Sequence, residues 1–245
     1  MLNIIIPMAG HGSRFSNAGY KMPKPLIDVN GKTMIERVIK NLTPDQDHKF
    51  IFIVLDEHIN KYGVDKILKS VTPSCEILPI NTVTEGAACT VLLAKEFIDS
   101  SPLMIANSDQ WINYDINKYL NFNSTYDGMI MTMYADDPKW SFIGFNDDLV
   151  TEVVEKEVIS NEATVGIYNF SKGTDFINSA EQMILKDLRV NGEFYVAPVY
   201  NEMIGLEMKV GYHNIDSNIE KTMFGLGTPE DLDTFLNHKV SKNLQ

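Results

Sequence analysis

The sequence is poor in cysteine and in long apolar runs. Its two cysteines, Cys75 and Cys89, have no zinc-like spacing and form no disulfide framework, and their apolar or small neighbours indicate buried free thiols. No apolar run approaches the roughly 20 residues that a membrane-spanning helix needs. No charged-then-apolar signal pattern precedes the first predicted strand. We therefore expect a cytoplasmic protein.

Basic residues are also scarce. Asp and Glu number 33 against 21 Lys and Arg, which gives a net charge of −12. Nucleic acids and anionic membranes require a basic surface, so we expect neither as a partner. A polyanionic ligand would have to be held by a local cluster of cations together with a metal ion. The 245 residues, 44% of them hydrophobic, can bury a substantial core in one large α/β domain or two small ones.

The first 26 residues carry the strongest functional signal. An apolar run over 2–8 predicts a buried strand, and Ala-Gly-His-Gly-Ser-Arg-Phe follows at 9–15. Glycines let such a loop turn tightly and present backbone N–H groups to an anion, while Arg14 adds a planar charged fork. Lys24 lies between two prolines, which restrict its position. The segment predicts a polyphosphate-binding loop, and a glycine turn with two solvated cations is the structural alternative.

Two familiar phosphate motifs do not match this loop. A P-loop of six to seven residues closes with Gly-Lys-Ser or Gly-Lys-Thr, and no such triplet closes the loop after Gly10 at that spacing. The dinucleotide fingerprint needs a third glycine where this chain has Phe15. The loop therefore belongs to neither class.

Strand and helix patterns alternate through the first half of the chain. Strands are predicted at 2–8, 50–55, 75–80 and 102–106, and helices near 33–42, 57–70 and 86–98. This alternation predicts an α/β fold with a mainly parallel, mixed sheet flanked by helices. Ligands of such sheets bind beyond the carboxyl ends of the strands, so the segments 9–15 and 107–110 are expected to share one crevice.

The second half has a mixed pattern. We predict strands at 126–133 and 163–170, a hairpin over 141–156, and helices at 172–186, 197–204 and 229–237. No repeat or linker interrupts the chain. We expect one domain over 1–245, with a nucleotide-binding half at 1–110 and an acceptor-binding half at 111–245.

Asp109 lies in a polar cluster at 107–110, Asn-Ser-Asp-Gln, which follows the predicted strand 102–106. Mg²⁺ in proteins prefers one or two carboxylates together with phosphate oxygens and water. Asp109 can therefore hold Mg²⁺ against the α-phosphate of a nucleotide, and a simple Asx turn is the alternative.

The segment Thr-Glu-Gly-Ala-Ala at 84–88 begins the predicted helix 86–98. Small residues at a helix N-terminus permit the close approach of a flat ring or a sugar, and the helix dipole favours negative charge. Tight packing of the helix on the sheet is the alternative.

Together these motifs resemble the sugar-phosphate nucleotidyltransferases of the pyrophosphorylase type. The resembling segments are 7–26, 84–93, 103–110, 153–170 and 222–232. The resemblance implies a nucleotide-diphospho-sugar transferase fold, which is GT-A-like and Rossmann-like. It also implies Mg²⁺-dependent transfer of a nucleotidyl group from an NTP to a phosphorylated small molecule, with release of pyrophosphate.

The resemblance further implies roles for individual residues. Arg14 and Lys24 would be catalytic, and Asp109 would be the metal ligand. Nucleotide contacts would come from Met8, Ala9, Gly10, Gly12, Ser13, Arg14, Glu85, Gly86, Ala87 and Ser108. Acceptor contacts would come from Lys24, Lys156, Gly166 and Glu193.

The chain departs from the family pattern at two positions. Glu157 stands where many relatives have proline, and Gly225 stands where many have an aspartate as second metal ligand. Asp216 or Glu220 would substitute for that aspartate, or one carboxylate would suffice.

The glycine loop, the Glu-Gly-Ala-Ala element and the Asn-Ser-Asp-Gln cluster are more similar to small members linked to capsules and surface glycans. These include cytidylyltransferases acting on phosphocholine or phosphoglutamine, so CTP is the favoured nucleotide. A metal-dependent glycosyltransferase and a non-catalytic nucleotide-sensing domain are the alternatives, and a homo-oligomeric state stays open.

Overall fold

The computed structural model describes residues 1–121, 125–216 and 222–244. Its strands are β1 (Leu2–Pro7), β2 (Asp28–Val29), β3 (Lys32–Thr33), β4 (His48–Leu55), β5 (Glu76–Ile80), β6 (Leu103–Ala106), β7 (Gln110–Ile112), β8 (Gly128–Tyr134), β9 (Ser141–Asn146), β10 (Leu149–Glu155), β11 (Glu162–Phe170), β12 (Val210–Asn214) and β13 (Met223–Gly225). Its helices are α1 (Ser13–Asn17), α2 (Met34–Leu42), α3 (Asp56–Tyr62), α4 (Val64–Val71), α5 (Ala87–Leu92), α6 (Ile116–Asn121), α7 (Gly173–Leu185), α8 (Val199–Gly205), α9 (Pro229–Asn237) and α10 (Lys239–Lys242). Short 3₁₀ turns occur at Lys24–Leu26 and Lys95–Phe97.

The main sheet has nine strands in the order β5-β4-β1-β6-β11-β8-β12-β10-β9. The first four strands are parallel. β11 runs antiparallel to both β6 and β8, β12 is parallel to β8, and the β9–β10 hairpin is antiparallel. The sheet is therefore mixed, and the predicted mainly parallel arrangement holds only in the first half. Short connections such as the β9–β10 turn can join only antiparallel neighbours, whereas parallel strands need a crossover.

Both faces of the sheet are covered, as β1 illustrates. Ile4 and Ile6 pack into the core on one face, whereas Ile5 packs into the core on the other, and all three are fully buried. Side chains alternate between the faces of a strand, so a continuous apolar run fits a strand that is buried on both sides. The prediction of flanking helices is confirmed by this packing.

A third apolar cluster anchors the glycine loop. Phe15, at the position where a dinucleotide fingerprint has its third glycine, is buried in this cluster with Trp111 and Phe224. Its ring meets Tyr20 edge to face at 5.1 Å. Trp111 and Phe224 lie on the two-stranded ribbon of β7 and β13. The loop thus gains a fixed apolar attachment immediately after its glycines.

Several elements differ from the sequence prediction. The helix predicted at 57–70 is two helices, α3 and α4, because Gly63 adopts a left-handed conformation with φ of 64°. The helix predicted at 86–98 ends at Leu92 and is followed by a 3₁₀ turn. The β7–β13 ribbon and β12 were not predicted, because their short or partly polar segments acquire strand partners only through distant residues.

The two cysteines and the lengths of the helices bear on two of the predictions made from composition. Cys75 and Cys89 are free thiols, as predicted, but they are half-buried rather than buried, and their partial burial raises both pKa values. Among the residues that the structure describes, no helix has the length and apolar character to cross a membrane.

Candidate functional site

A cleft of about 650 Å³ lies beyond the carboxyl ends of β1 and β6. Its walls come from the loop after β1, the segment after β6, the start of α5 and parts of β10 and β11. This volume lies within the usual range for small-ligand pockets. The expected shared crevice is thus present, at the end of the sheet where open α/β folds bind ligands.

The structure brings most of the sequence-predicted site residues to this cleft. Those lining it are Met8, Ala9, Gly10, Gly12, Ser13, Arg14, Lys24, Gly86, Ala87, Ser108, Asp109, Lys156, Gly166 and Glu193. Within the described ranges, Glu85 and Asp216 lie outside the cleft lining. Glu220 lies outside the described residues.

Lys24 and Asp109 form an ion pair within the cleft. The Lys24 Nζ lies 2.8 Å from Asp109 Oδ2, and the two side chains are 22% and 25% exposed. Lys24 begins a 3₁₀ turn directly after Pro23, and the Asp109 carbonyl accepts from the Leu226 N–H at 2.7 Å. Pro23 and the 3₁₀ turn hold Lys24 in place, and the backbone hydrogen bond from Leu226 holds Asp109.

Arg14 projects from α1 beside this pair. It is exposed and lines the cleft, and it forms no ion pair with any residue in the described part of the chain. An arginine without a protein carboxylate partner keeps its planar fork of donors for an anionic ligand.

Gly86 is required by close backbone packing. Its φ is 136°, and a Cβ atom there would lie 2.4 Å from the Phe194 carbonyl oxygen. The Ala88 N–H donates to that same oxygen at 3.0 Å, and the Phe194 N–H donates to the Glu85 carbonyl at 2.8 Å. This glycine therefore joins the start of α5 to the segment 193–195, and it also lines the cleft.

The Glu85 side chain is turned away from the predicted nucleotide contact. It is 67% exposed, and its Oε2 accepts from Arg189 Nη2 at 3.1 Å. The Arg189 guanidinium also stacks on the Phe194 ring, 4.2 Å from the ring centroid. Arg189, which is 104 residues away in the chain, therefore decides where the Glu85 carboxylate lies. The local motif does not reveal this partner.

Gly166 sits in an irregular part of β11 that crosses the cleft. The pairing of β11 with β8 shifts register between Thr164 and Tyr168, and Gly166 has a φ of 79°. Its carbonyl accepts from the Asn107 N–H and from Gln110 Nε2, both at 3.0 Å. A Cβ atom would lie 2.2 Å from Asn107 Nδ2. Only glycine lets β11 approach the polar segment after β6 this closely.

Lys156 and Glu193, from the second half of the chain, also line the cleft. Lys156 Nζ donates to Tyr195 Oη at 2.5 Å and lies 4.6 Å from the centre of that ring. Lys156 has a left-handed φ of 61°. Tyr195, two residues after Glu193, thus positions the Lys156 ammonium. The sequence motif did not reveal this contact.

Glu155 is a site residue that the sequence analysis missed. It lines the cleft, is buried, and accepts a hydrogen bond from the Ser141 hydroxyl. Burial raises the pKa of its carboxyl, and nearby Glu193 adds to this, while the Ser141 bond and Lys156 act in the opposite direction. Ser141 and Glu155 are direct partners in the β9–β10 hairpin. The hairpin register was therefore the signal that could have identified this pair.

Other cleft residues were also missed. Tyr168 and Thr164 share a hydrogen bond of 3.0 Å, and full burial raises the Tyr168 pKa far above its ordinary value. Lys139 lies 5.0 Å from the centre of the Trp140 ring, and both line the cleft. These contacts arise from sheet register and a loop, which the sequence pattern does not specify.

Asp216 lies at the end of β12, beside β8, rather than at the cleft. Its Oδ2 accepts from the Tyr134 N–H at 2.8 Å, and its other oxygen accepts from the Thr222 hydroxyl. Both carboxylate oxygens are thus hydrogen-bonded within the protein.

The donor set near Asp109 limits how a metal could be held. Within 1–121, 125–216 and 222–244, no three His, Cys, Asp or Glu side chains form a metal-binding group. A Cβ atom at Gly227 would lie 2.6 Å from Asp109 Oδ2, so space beside the carboxylate depends on this glycine. One carboxylate in an open cleft fits the way Mg²⁺ is commonly bound, with substrate phosphates and waters as its other ligands.

The mixed sheet, the glycine loop at the end of β1 and the Lys24–Asp109 pair define a Rossmann-like α/β protein with a cleft lined in part by lysine and arginine side chains. The family described as nucleotidyl transferase matches residues 3–189. The chain belongs to this family of nucleotidyltransferases, which confirms the family resemblance at this level.

Individual relatives agree with this assignment. The chain is 27% identical over 182 residues to mannose-1-phosphate guanyltransferase of Pichia angusta, covering 67% of this chain and 48% of the relative. It is 25% identical to the bifunctional protein GlmU of Methanococcus maripaludis, over 98% of this chain and 55% of that protein. The chain thus spans about half the length of the curated relatives it matches.

Solved structures show the same fold. A nucleoside-diphosphate-sugar pyrophosphorylase from Vibrio cholerae RC9 has a TM-score of 0.83 and 27% identity, with 96% of this chain and 100% of that chain covered. The inositol-1-phosphate CTP transferase from T. maritima has a TM-score of 0.77, 14% identity, and coverage of 98% and 93%. At that identity, the second similarity concerns the fold alone.

Proposed function

We propose that this protein transfers a nucleotidyl group from an NTP to a phosphorylated small molecule and releases pyrophosphate. The observation that carries the proposal is the convergence of Arg14, Lys24 and Asp109 with the glycine loop in one cleft, opposite Lys156 on the acceptor side. Four lysine and arginine side chains line this cleft in a chain whose net charge is −12. Such a local cluster is what an acidic protein needs to bind two phosphorylated ligands.

In the proposed reaction, a phosphate oxygen of the acceptor attacks the α-phosphorus of the NTP. A new P–O bond forms, the bond from the α-phosphorus to the β-bridging oxygen breaks, and pyrophosphate leaves with the electron pair. The attacking phosphate is already ionised near neutral pH, so no side-chain nucleophile or general base is required. Positioning and neutralisation of charge therefore account for catalysis.

Each charged residue of the cleft would position or neutralise a different phosphate group. Arg14, free of a carboxylate partner in the described ranges, would hold the β- and γ-phosphates that become pyrophosphate. Lys24 would contact the α-phosphate and Lys156 the acceptor phosphate. Asp109 would hold Mg²⁺, which supplies charge neutralisation when bound. The Lys24 ion pair keeps the Asp109 carboxylate directed into the cleft until the substrates arrive.

The substrates are proposed from the sequence motifs and the relatives together. CTP is the proposed nucleotide, because the loop and the segments at 84–88 and 107–110 resemble cytidylyltransferases. GTP is the competing nucleotide, because several relatives are named mannose-1-phosphate guanyltransferases. The acceptor is proposed to be a sugar phosphate or a non-sugar phosphate such as phosphocholine or phosphoglutamine, used in capsule or surface-glycan synthesis.

The test is pyrophosphate release with Mg²⁺, in which each NTP is crossed with sugar 1-phosphates, phosphocholine and phosphoglutamine. We expect release that needs one nucleotide and one acceptor together and that stops when EDTA removes the metal. Nucleoside diphosphate released from a nucleotide sugar, without pyrophosphate from any pair, would instead indicate a glycosyltransferase. Nucleotide binding without turnover for every pair would indicate a sensing domain and contradict the proposal.

A further inference from the structure

A second, smaller pocket shares a wall with the cleft. We call it the rear pocket. It has a volume of about 180 Å³, and His11, Gly12 and Lys24 line both cavities. Its remaining lining comes chiefly from the segment 20–23 and from α3, including His58. The volume is well below that of a typical drug-sized pocket, so it suits a small ion rather than a nucleoside.

His58 is the unusual group in the rear pocket. The residue is only 8% exposed, and its Nδ1 atom is buried without a hydrogen-bond partner among the described residues. The ring meets Tyr62 at a centroid distance of 6.3 Å, which gives that nitrogen no polar partner. A buried polar atom left unpaired is costly, and it commonly indicates a water, an ion or a function. A ligand able to pair with His58 would remove that cost.

The charges around the rear pocket favour an anion. Lys21 and His11 line it together with Lys24, whose ammonium is already paired with Asp109, and among the described residues Glu57 supplies the carboxylate of its lining. The Glu57 side chain is 73% exposed and lies 3.8 Å from Lys61, so it is directed partly toward another cation. The pocket thus collects basic groups in a protein with an acidic balance.

We propose that the rear pocket binds a small phosphate-type anion, inorganic phosphate or pyrophosphate, through His58 and Lys21, as a site separate from the nucleotide cleft. Phosphate oxygens accept hydrogen bonds from an imidazole N–H and from an ammonium group, and such charge-assisted bonds are strong. Because His11, Gly12 and Lys24 form the shared wall, an anion in the rear pocket is linked to nucleotide binding, and that linkage is reciprocal.

The test follows the histidine ring nitrogens of the full chain by NMR while inorganic phosphate or pyrophosphate is added, with no nucleotide present. The His58 signal is assigned with His58→Asn, and half-buried His48, outside the lining of the rear pocket, provides the internal reference. We expect a saturable shift of the His58 ring and no shift of His48. Tighter binding of pyrophosphate would identify a product-like ligand, and equal binding would identify the phosphate group itself as sufficient.

Variants locate the anion. Lys21 is exposed, so Lys21→Gln should fold normally, and it should weaken the anion affinity about tenfold, as expected for one lost charge-assisted bond. Lys40→Gln, at another exposed lysine, should leave the affinity unchanged. The proposal is overturned if the His58 ring does not respond, if Lys21→Gln binds as tightly as the wild type, or if Arg14→Ala abolishes the His58 shift, since the anion would then sit in the cleft. The experiment uses no nucleotide, so its outcome is independent of the proposed transferase activity.

Discussion

The Lys24 ammonium lies 2.8 Å from the Asp109 carboxylate, although 85 residues separate them in the chain. Each was assigned a role from its own local motif, Lys24 from a proline-bounded loop and Asp109 from a polar cluster after a strand. Their pairing shows that the two motifs form one charged unit in the cleft.

Replacing Lys24 should lower turnover and leave the stability of the fold nearly unchanged. An ion pair that remains accessible to water contributes no more than about 1 kcal/mol, so Lys24→Ala should unfold nearly as the wild type does. Turnover should fall about 10²- to 10³-fold, because a preorganised charge at the reacting phosphate is lost. Steady-state pyrophosphate release and urea unfolding measure the two effects.

The matched control is Lys49→Ala. Lys49 lies 2.8 Å from Glu76 in a comparable ion pair on β4 and β5, away from the cleft lining. It should show the same small change in unfolding free energy and normal turnover. Equal turnover in the two variants would remove the role assigned to Lys24.

Alanine at Gly86 should destabilise the protein through a backbone clash. The new Cβ would meet the Phe194 carbonyl at 2.4 Å in a conformation with φ of 136°. We expect a loss of about 2–4 kcal/mol in the free energy of unfolding, because a shift of the backbone at either Gly86 or Phe194 is energetically costly. Gly205→Ala is the control, since nothing lies within 4 Å of its Cβ position. Denaturant unfolding of both variants gives the comparison, and similar losses would contradict the close packing at Phe194.

Glu155 should give the protein a measurable pH dependence of stability. Burial raises the pKa of its carboxyl in the folded state above the ordinary value of 4.5. The folded state therefore keeps the proton after the unfolded state has lost it, and this contribution to stability declines as the pH rises through the raised pKa. Glu155→Gln cannot ionise, so its stability relative to the wild type should increase as the pH rises above 4.5 and through the raised pKa of Glu155.

The comparison requires urea unfolding of both proteins across that pH range. Glu152→Gln, an exposed change on the same strand β10, should follow the wild type throughout. A constant difference between Glu155→Gln and the wild type would show that the buried carboxyl does not titrate in this range.

Arg189 should act as a positioning residue for the acceptor side. It stacks on Phe194 and pairs with Glu85, and so holds the segment that carries Glu193 and Tyr195 against the start of α5. Arg189→Lys keeps the charge but loses the planar stacking and the fork of donors. We expect the acceptor KM to rise several-fold with kcat nearly unchanged.

Lys172→Gln, an exposed change at the start of α7, is the control and should leave both constants unchanged. A fall in kcat without a change in acceptor KM in Arg189→Lys would instead indicate a direct part in the chemistry.

Local pattern was sufficient where neighbouring residues decide the conformation. The apolar run of β1, the glycine loop, and the strand that ends before Asp109 were all predicted, because backbone preference and burial act over a few residues. The parallel half of the sheet followed from the alternation of strands and helices. Gly63 shows the limit of periodicity, since one left-handed residue divides a helix whose apolar spacing continues past it.

Long-range contacts decided the remainder of the candidate site. The position of the Glu85 carboxylate depends on Arg189, and Asp216 is held by Tyr134 and Thr222 just after β12. The partner of Glu155 follows from a hairpin register that periodicity alone does not specify.

The sequence by itself determined that the chain would form an α/β cleft lined by a glycine loop and cations, because strand burial, glycine turns and cation spacing are properties of short segments. The tertiary structure decided which carboxylates enter that cleft and which pair elsewhere. The physical reason is that a charged side chain takes its place from the nearest opposite charge or hydrogen-bond donor in space. That partner can be distant in the chain, as with Glu85 and Arg189 at a separation of 104 residues.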